Sequence, residues 1–198
     1  MVEKNIRIFI VHRWDGSPGA DWYPWLKREL EKKGCTVIVP AFPKPEAPDL
    51  KTWVLFLQQQ VDTPDKNTYF VGHSIGCQTI IRYLATLPPL TKIGGAIFVA
   101  GWFHLTPETM REPGTPEIAG PWIKTPIDLR KARVHTEKFV ALFSNDDPYV
   151  ASSEFRIFED RLGAKIIVEE SKGHFNEEAG VTSVPTVLRE LLQMIGKK

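Results

Sequence analysis

The chain carries short runs of almost unbroken apolar residues, and each is followed by a stretch in which apolar side chains return every three or four positions. The runs are Ile6 to Val11, Thr36 to Pro40, Thr68 to Val71, Gly95 to Ala100, Phe139 to Ser144 and Lys165 to Glu169. An apolar run rich in β-branched and aromatic residues fits a strand covered on both faces, which is how strands sit in a parallel sheet flanked by helices. The alternation therefore predicts an α/β fold with a mainly parallel central sheet of about six strands and helices on both faces.

The intervening stretches supply the helices. Trp22, Trp25, Leu26 and Leu30 share one helical face, as do Trp53, Phe56, Leu57 and Val61 behind an Asp49 cap. Cys77, Ile80, Ile81, Leu84 and Leu87 form a third stripe, and Phe155, Phe158 and Leu162 a fourth, behind Ser152 or Ser153. Val184, Val187, Leu188, Leu191, Leu192 and Ile195 predict a closing helix capped by Ser183. A length of 198 residues suits one domain, 1–198. Two segments fall outside the pattern: the loop stiffened by Pro40, Pro43, Pro45 and Pro48, and the Pro-rich stretch 102–126, read as a loop that covers the site.

Charge and cysteine content narrow the function classes. With 25 basic and 24 acidic residues and a net charge of +1, the chain has no electrostatic footprint for nucleic acid or an anionic membrane. Cys35 and Cys77 form no CxxC pair, which argues against a disulfide scaffold or a thiolate zinc site. Met1 to Asn5 leads into the first strand without the apolar region of an export signal. The longest apolar stretch, Gly94 to Phe103, is far shorter than the roughly 20 residues that span a bilayer. A cytoplasmic protein is expected.

Chemistry concentrates after three of the strands. Gly72-His73-Ser74-Ile75-Gly76 follows one strand and opens a helical stripe, the strand–turn–helix setting that a Gly-x-Ser-x-Gly nucleophile needs. Flanking residues without side chains let strand and helix approach closely, so the Ser74 hydroxyl projects above the sheet while the Ile75 amide points to where an oxyanion would form. The order Ser, acid, His is completed by Ser144-Asn145-Asp146-Asp147-Pro148 after the fifth strand and Gly173-His174-Phe175 after the sixth. His174 is the expected general base and Asp147 its orienting acid, preferred over Asp146, which reads as a turn cap.

The remaining assignments are coarser. The loop His12-Arg13-Trp14-Asp15-Gly16 is expected to supply a second oxyanion donor, from the Trp14 or Arg13 amide. Trp102, Phe103 and Trp122, with His12, are candidate pocket residues, although His12 and His73 more readily hold backbone groups than perform chemistry. His104 could face the pocket from the cover, and His135 reads as exposed loop. Cys77 falls on the core face of its helix. No His pair has metal-ligand spacing, so neither metal nor cofactor is expected.

These motifs, together with Asp21-Trp22-Tyr23-Pro24-Trp25-Leu26, resemble the small serine hydrolases of the retinoblastoma-binding protein 9 and YdeN-like family, over nearly the whole length. The resemblance implies a compact α/β-hydrolase fold without large cap domains and a Ser-Asp-His triad cleaving esters or amides in a small acyl substrate. It also places the triad acid at the second of the paired aspartates, Asp147. Arg13 departs from the pattern, since a glycine is common there, and its side chain is expected to crowd the oxyanion loop. The alternative is a binding protein of the same fold with little or no turnover; the retinoblastoma ligand motif Leu-x-Cys-x-Glu is absent. Oligomeric state is not legible.

Overall fold

A computed structural model describes residues 5–197; Lys198 and residues 1–4, read above as lacking an export signal, lie outside them. Six strands form one sheet: β1 Arg7–Val11, β2 Thr36–Ile38, β3 Thr68–His73, β4 Gly95–Val99, β5 Phe139–Ser144 and β6 Lys165–Glu169. Their order is β2-β1-β3-β4-β5-β6, and every adjacent pair runs parallel. Strands β3, β4 and β5 are buried at every position, as their unbroken apolar runs require.

Successive strand side chains point to opposite faces, so each strand feeds two cores. Phe9, Phe70 and Phe98 face one core with Trp53 and Leu57 of α2 (Leu50–Val61) and Ile80 and Leu84 of α3 (Ile75–Leu84). Ile8, Ile10 and Val71 face the other with Leu26 and Leu30 of α1 (Tyr23–Lys32) and Val187 and Leu191 of α7 (Pro185–Ile195). Three further helices join the first core: α4 (Thr115–Lys124), α5 (Leu129–Arg133) and α6 (Ser153–Ile157), the last continuing as a π turn over Phe158–Leu162.

Helix ends show what local chemistry decides. Asp49 caps α2 as expected, its carboxylate accepting from the Thr52 amide at 2.8 Å. The cap expected at Ser183 instead falls at Val184, because Pro185 fits the first turn, where no amide is needed. Helix α3 ends at Leu84 and leaves Leu87 beyond it. The stretch 102–126 is not one loop: it contains a 3-10 turn at Thr109–Arg111 and the whole of α4. Pro116 sits in the first turn of α4, while Pro121 lies inside it. His135 is buried rather than exposed, with Nδ1 2.8 Å from the Thr91 carbonyl.

The chain passes outward from β1 to β2 and then crosses to the other side of β1 to lay down β3. That reversal leaves a crevice at the carboxyl ends of β1 and β3, the place where open α/β sheets bind ligands. Among the described residues no helix is long and apolar enough to cross a membrane.

Candidate active site

Ser74 stands between the end of β3 and the start of α3 with φ 55° and ψ −122°, a conformation costly for any residue with a side chain. The tightness of the turn accounts for its glycines. A Cβ on Gly76 would lie 2.3 Å from the Val11 carbonyl oxygen, and one on Gly72 2.8 Å from the Cys77 amide nitrogen. The Ser74 amide donates to the Val99 carbonyl at 2.9 Å, tying the turn to the end of β4.

His174 lines the same cavity as Ser74, which has a volume of about 510 Å³. Its Nδ1 is 2.8 Å from Asp147 Oδ2, and both side chains are almost wholly buried. The other Asp147 oxygen accepts from the Tyr149 and Val150 amides at 2.9 and 3.2 Å. Tyr149 stands edge-on to the His174 ring with centroids 4.9 Å apart. Asp146 does not meet His174. It accepts from the Ser144 hydroxyl at 2.5 Å and the Gly173 amide at 2.9 Å, bonds that hold its carboxyl below the usual range and fasten the loop carrying His174.

Among the described residues no hydrogen bond joins Ser74 to His174. Ser74 Oγ instead accepts from the indole N–H of Trp102 at 3.2 Å. An indole can only donate, so this contact occupies a lone pair of Oγ and leaves the hydroxyl proton free for a base.

The loop after β1 is held from three directions. The Arg13 carbonyl faces His12 Nδ1 at 2.8 Å and accepts from the Gly16 amide at 3.1 Å. His12 Nε2 accepts from the Phe42 amide, so the proton of this ring is on Nδ1. The Arg13 amide donates to the Tyr23 hydroxyl at 3.1 Å and is thereby engaged. The Trp14 amide shares a trans peptide plane with the pinned Arg13 carbonyl and points the opposite way. Among the described residues it has no hydrogen-bond acceptor, and the same is true of the Ile75 amide. The Arg13 side chain turns toward Asp21 (Nε to Oδ2, 2.8 Å) and Glu178 (Nη2 to Oε1, 3.1 Å) on the cavity wall.

A buried relay crosses beneath these groups. His73 Nε2 lies 2.7 Å from the His174 carbonyl, an acceptor, so Nε2 carries the proton and Nδ1 must accept. The Tyr23 hydroxyl, 2.7 Å from Nδ1, therefore donates to His73 while accepting from the Arg13 amide. Asp21 and Glu177 exchange backbone and carboxylate bonds at 3.0 and 2.9 Å, clasping the β1 loop to the His174 loop. Nothing in the local sequence marks Tyr23 and Asp21 as site-forming; Tyr23 falls on the buried face of α1 with Leu26 and Leu30, where a hydroxyl needs a partner.

Of the candidate pocket residues only Trp102 lines the cavity with Ser74, beside Trp14. The others are placed elsewhere by aromatic packing. His12 is boxed by Phe42 and Trp53, Phe103 packs on Phe158, and Trp122 meets Trp53 while donating to the Pro48 carbonyl. His104 faces away from Ser74 and meets Glu154. The far wall is instead built by residues 109–118, around the 3-10 turn and the start of α4. Cys77 is fully buried, and burial pushes its thiol well above the ordinary value. Among the described residues no group of three or more His, Cys, Asp or Glu is placed to hold a metal ion.

Residues 8–193 match the family model described as serine hydrolase. YdeN of Bacillus subtilis (strain 168) is 29% identical over 192 residues, 97% of this chain and 97% of YdeN. The crystal structure of the ydeN gene product superposes with a TM-score of 0.88 at 28% identity, covering 98% of this chain and 100% of that one. The serine hydrolase RBBP9 of Rattus norvegicus is 26% identical over 167 residues, 81% of this chain and 83% of RBBP9. Est1E from Butyrivibrio proteoclasticus has the same fold, with a TM-score of 0.72 at 16% identity over 98% of this chain and 90% of that one.

Proposed function

The chain belongs to the serine hydrolase family, and from that premise we propose that it cleaves carboxylic esters, or amides, of a small acyl substrate through Ser74, His174 and Asp147. The observation that carries the reading is the 2.8 Å contact of His174 Nδ1 with Asp147 Oδ2, in a cavity shared with a serine at a strained strand-to-helix turn.

The directions of the hydrogen bonds fit the chemistry. With Nδ1–H given to Asp147, His174 Nε2 is free to take the Ser74 proton as Oγ attacks the acyl carbonyl. The Ile75 and Trp14 amides, both without acceptors, would bond the oxyanion as it forms. Collapse of the tetrahedral intermediate breaks the bond to the leaving group, which takes the proton from Nε2. Water then gives a proton to Nε2 as it attacks the acyl-serine, and collapse of the second tetrahedral intermediate breaks the bond to Ser74 Oγ, which takes that proton back from Nε2 as the carboxylic acid leaves. A hydrogen bond from Ser74 Oγ to His174 Nε2, not made in the free site, is expected to form on substrate binding.

A fluorophosphonate probe should label the wild type at Ser74 and spare Ser74→Ala, and 4-nitrophenyl esters should be hydrolysed only by the wild type. Folded wild-type protein that takes no label and turns over no ester of any acyl length would instead support a binding protein of this fold.

A further inference from the structure

Arg82 is 7% exposed and Gln78 1%, one turn apart on the buried side of α3, and neither has an ionic partner among the described residues. The Arg82 guanidinium bonds only neutral acceptors: Gln78 Oε1 at 3.1 Å, the Trp122 carbonyl at 2.6 Å and the Thr125 carbonyl at 2.8 Å. Burial lowers its pKa to about 10, the sign of a cation without a counter-charge. Because arginine can only donate, Gln78 must turn its oxygen to Arg82, which settles the orientation of the amide. Its Nε2 is then buried with no hydrogen-bond partner. A buried orphan donor beside an uncompensated charge is costly, and each is relieved by an acceptor that carries negative charge.

Both residues line a cavity of about 210 Å³ that shares no lining residue with the Ser74 cavity. Arg161 lines it too, and Phe103, Trp122 and Ile157 give it apolar walls. The nearby carboxylates are engaged. Glu154 accepts from the Phe103 amide and pairs with His104, while Asp128 caps α5 through the Arg130 and Lys131 amides.

We propose that this cavity is a binding site for a small organic carboxylate with an apolar tail, its carboxylate held by Gln78 Nε2, Arg82 and Arg161. A planar carboxylate matches the fork of donors, one negative charge compensates the one buried cation, and the aromatic and aliphatic walls cover the tail. For scale, a dry apolar cavity of about 150 Å³ accommodates benzene. An acid released by ester cleavage belongs to this class, but the donors that define the site do not depend on Ser74.

Calorimetric titration with hexanoate, and with hexanol as the uncharged control, tests the assignment. Hexanoate should bind the wild type with a Kd of about 1 mM or tighter, and hexanol at least about tenfold more weakly. Gln78→Glu keeps the acceptor for Arg82 but replaces the orphan donor with a second carboxylate oxygen. It should raise the melting temperature and abolish hexanoate binding. Arg161→Gln, at an exposed position, should weaken binding by about tenfold without affecting the fold. His174→Ala should bind hexanoate as the wild type does, since it alters only the other cavity. The proposal fails if the wild type does not bind hexanoate, if hexanol or inorganic phosphate binds as well, if Gln78→Glu binds unchanged, or if His174→Ala loses binding.

Discussion

The Asp147 carboxylate divides its oxygens, Oδ2 facing His174 Nδ1 while Oδ1 takes the Tyr149 and Val150 amides. In Asp147→Asn the remaining oxygen would stay with the two amides, which can only donate. The new NH₂ would then face Nδ1 and move the imidazole proton to Nε2, where it blocks acceptance of the serine proton. The variant should fold normally and lose on the order of 10⁴-fold in kcat, the penalty for a wrong histidine tautomer. Asp146→Asn keeps an oxygen for the Ser144 hydroxyl and Gly173 amide and should cost no more than about tenfold. Steady-state kinetics on the pair decides the matter, and equal losses would remove the distinction. Ser74 and His174 stand out as candidates in the sequence because each sits in a local motif after a strand, and the fold brings both to one cavity. The roles of adjacent aspartates depend on which oxygen meets which loop, and only folding brings residues 27 apart in the chain to 2.8 Å.

At the scale of elements, the β1 loop, the β3–α3 turn and the His174 loop meet at the Tyr23 hydroxyl and the His73 ring. Tyr23→Phe removes one atom and leaves the Arg13 amide and His73 Nδ1 unpaired at once. Denaturant unfolding should show a loss of about 1–3 kcal/mol. Release of the Arg13 peptide should also loosen the Trp14 amide, lowering kcat about tenfold with little change in KM, because an oxyanion forms only after binding. An unchanged kcat would show that the relay holds the fold and not the reaction geometry. The strands and most helices were readable from apolar runs and helical stripes, since burial on one or two faces fixes those patterns. The segment 102–126 reads as a loop because proline density counts against a helix, yet it contains a 3-10 turn and α4. Pro116 lies in the first turn, where proline costs nothing, and packing of Ala119 and Trp122 into the core compensates for Pro121. Phe103 and Trp122, unlike Trp102, lie outside the Ser74 cavity for a related reason: a large side chain in such a segment packs into the nearest core, and the sequence does not say which.

For the whole molecule, the cost of building a site at the centre of the sheet should appear in its pH dependence. His73 is fully buried, and burial, reinforced by the neighbouring His174, lowers its pKa from 6.5 to about 3. Burial also lowers the pKa of His12. Between about pH 6.5 and 3 the unfolded chain binds protons that the folded His73 refuses, so stability must fall as the pH falls through that window. At about pH 5 this one ring accounts for roughly 2 kcal/mol of lost stability relative to neutral pH. Asp21 adds to the loss at lower pH. Burial alone would raise its carboxyl, but the Arg13 hydrogen bond, the charges around it and the Glu177 amide together outweigh this and hold it below the usual value, so its contribution disappears only when it is finally protonated. Urea unfolding at pH 5 and pH 7.5 should show the decline, and the His73 ring resonances should not titrate down to about pH 4. A His73 ring titrating near its ordinary pKa would mean that the Tyr23–His73–His174 relay does not hold the neutral ring, and the tautomer assigned from its hydrogen bonds would fall with it.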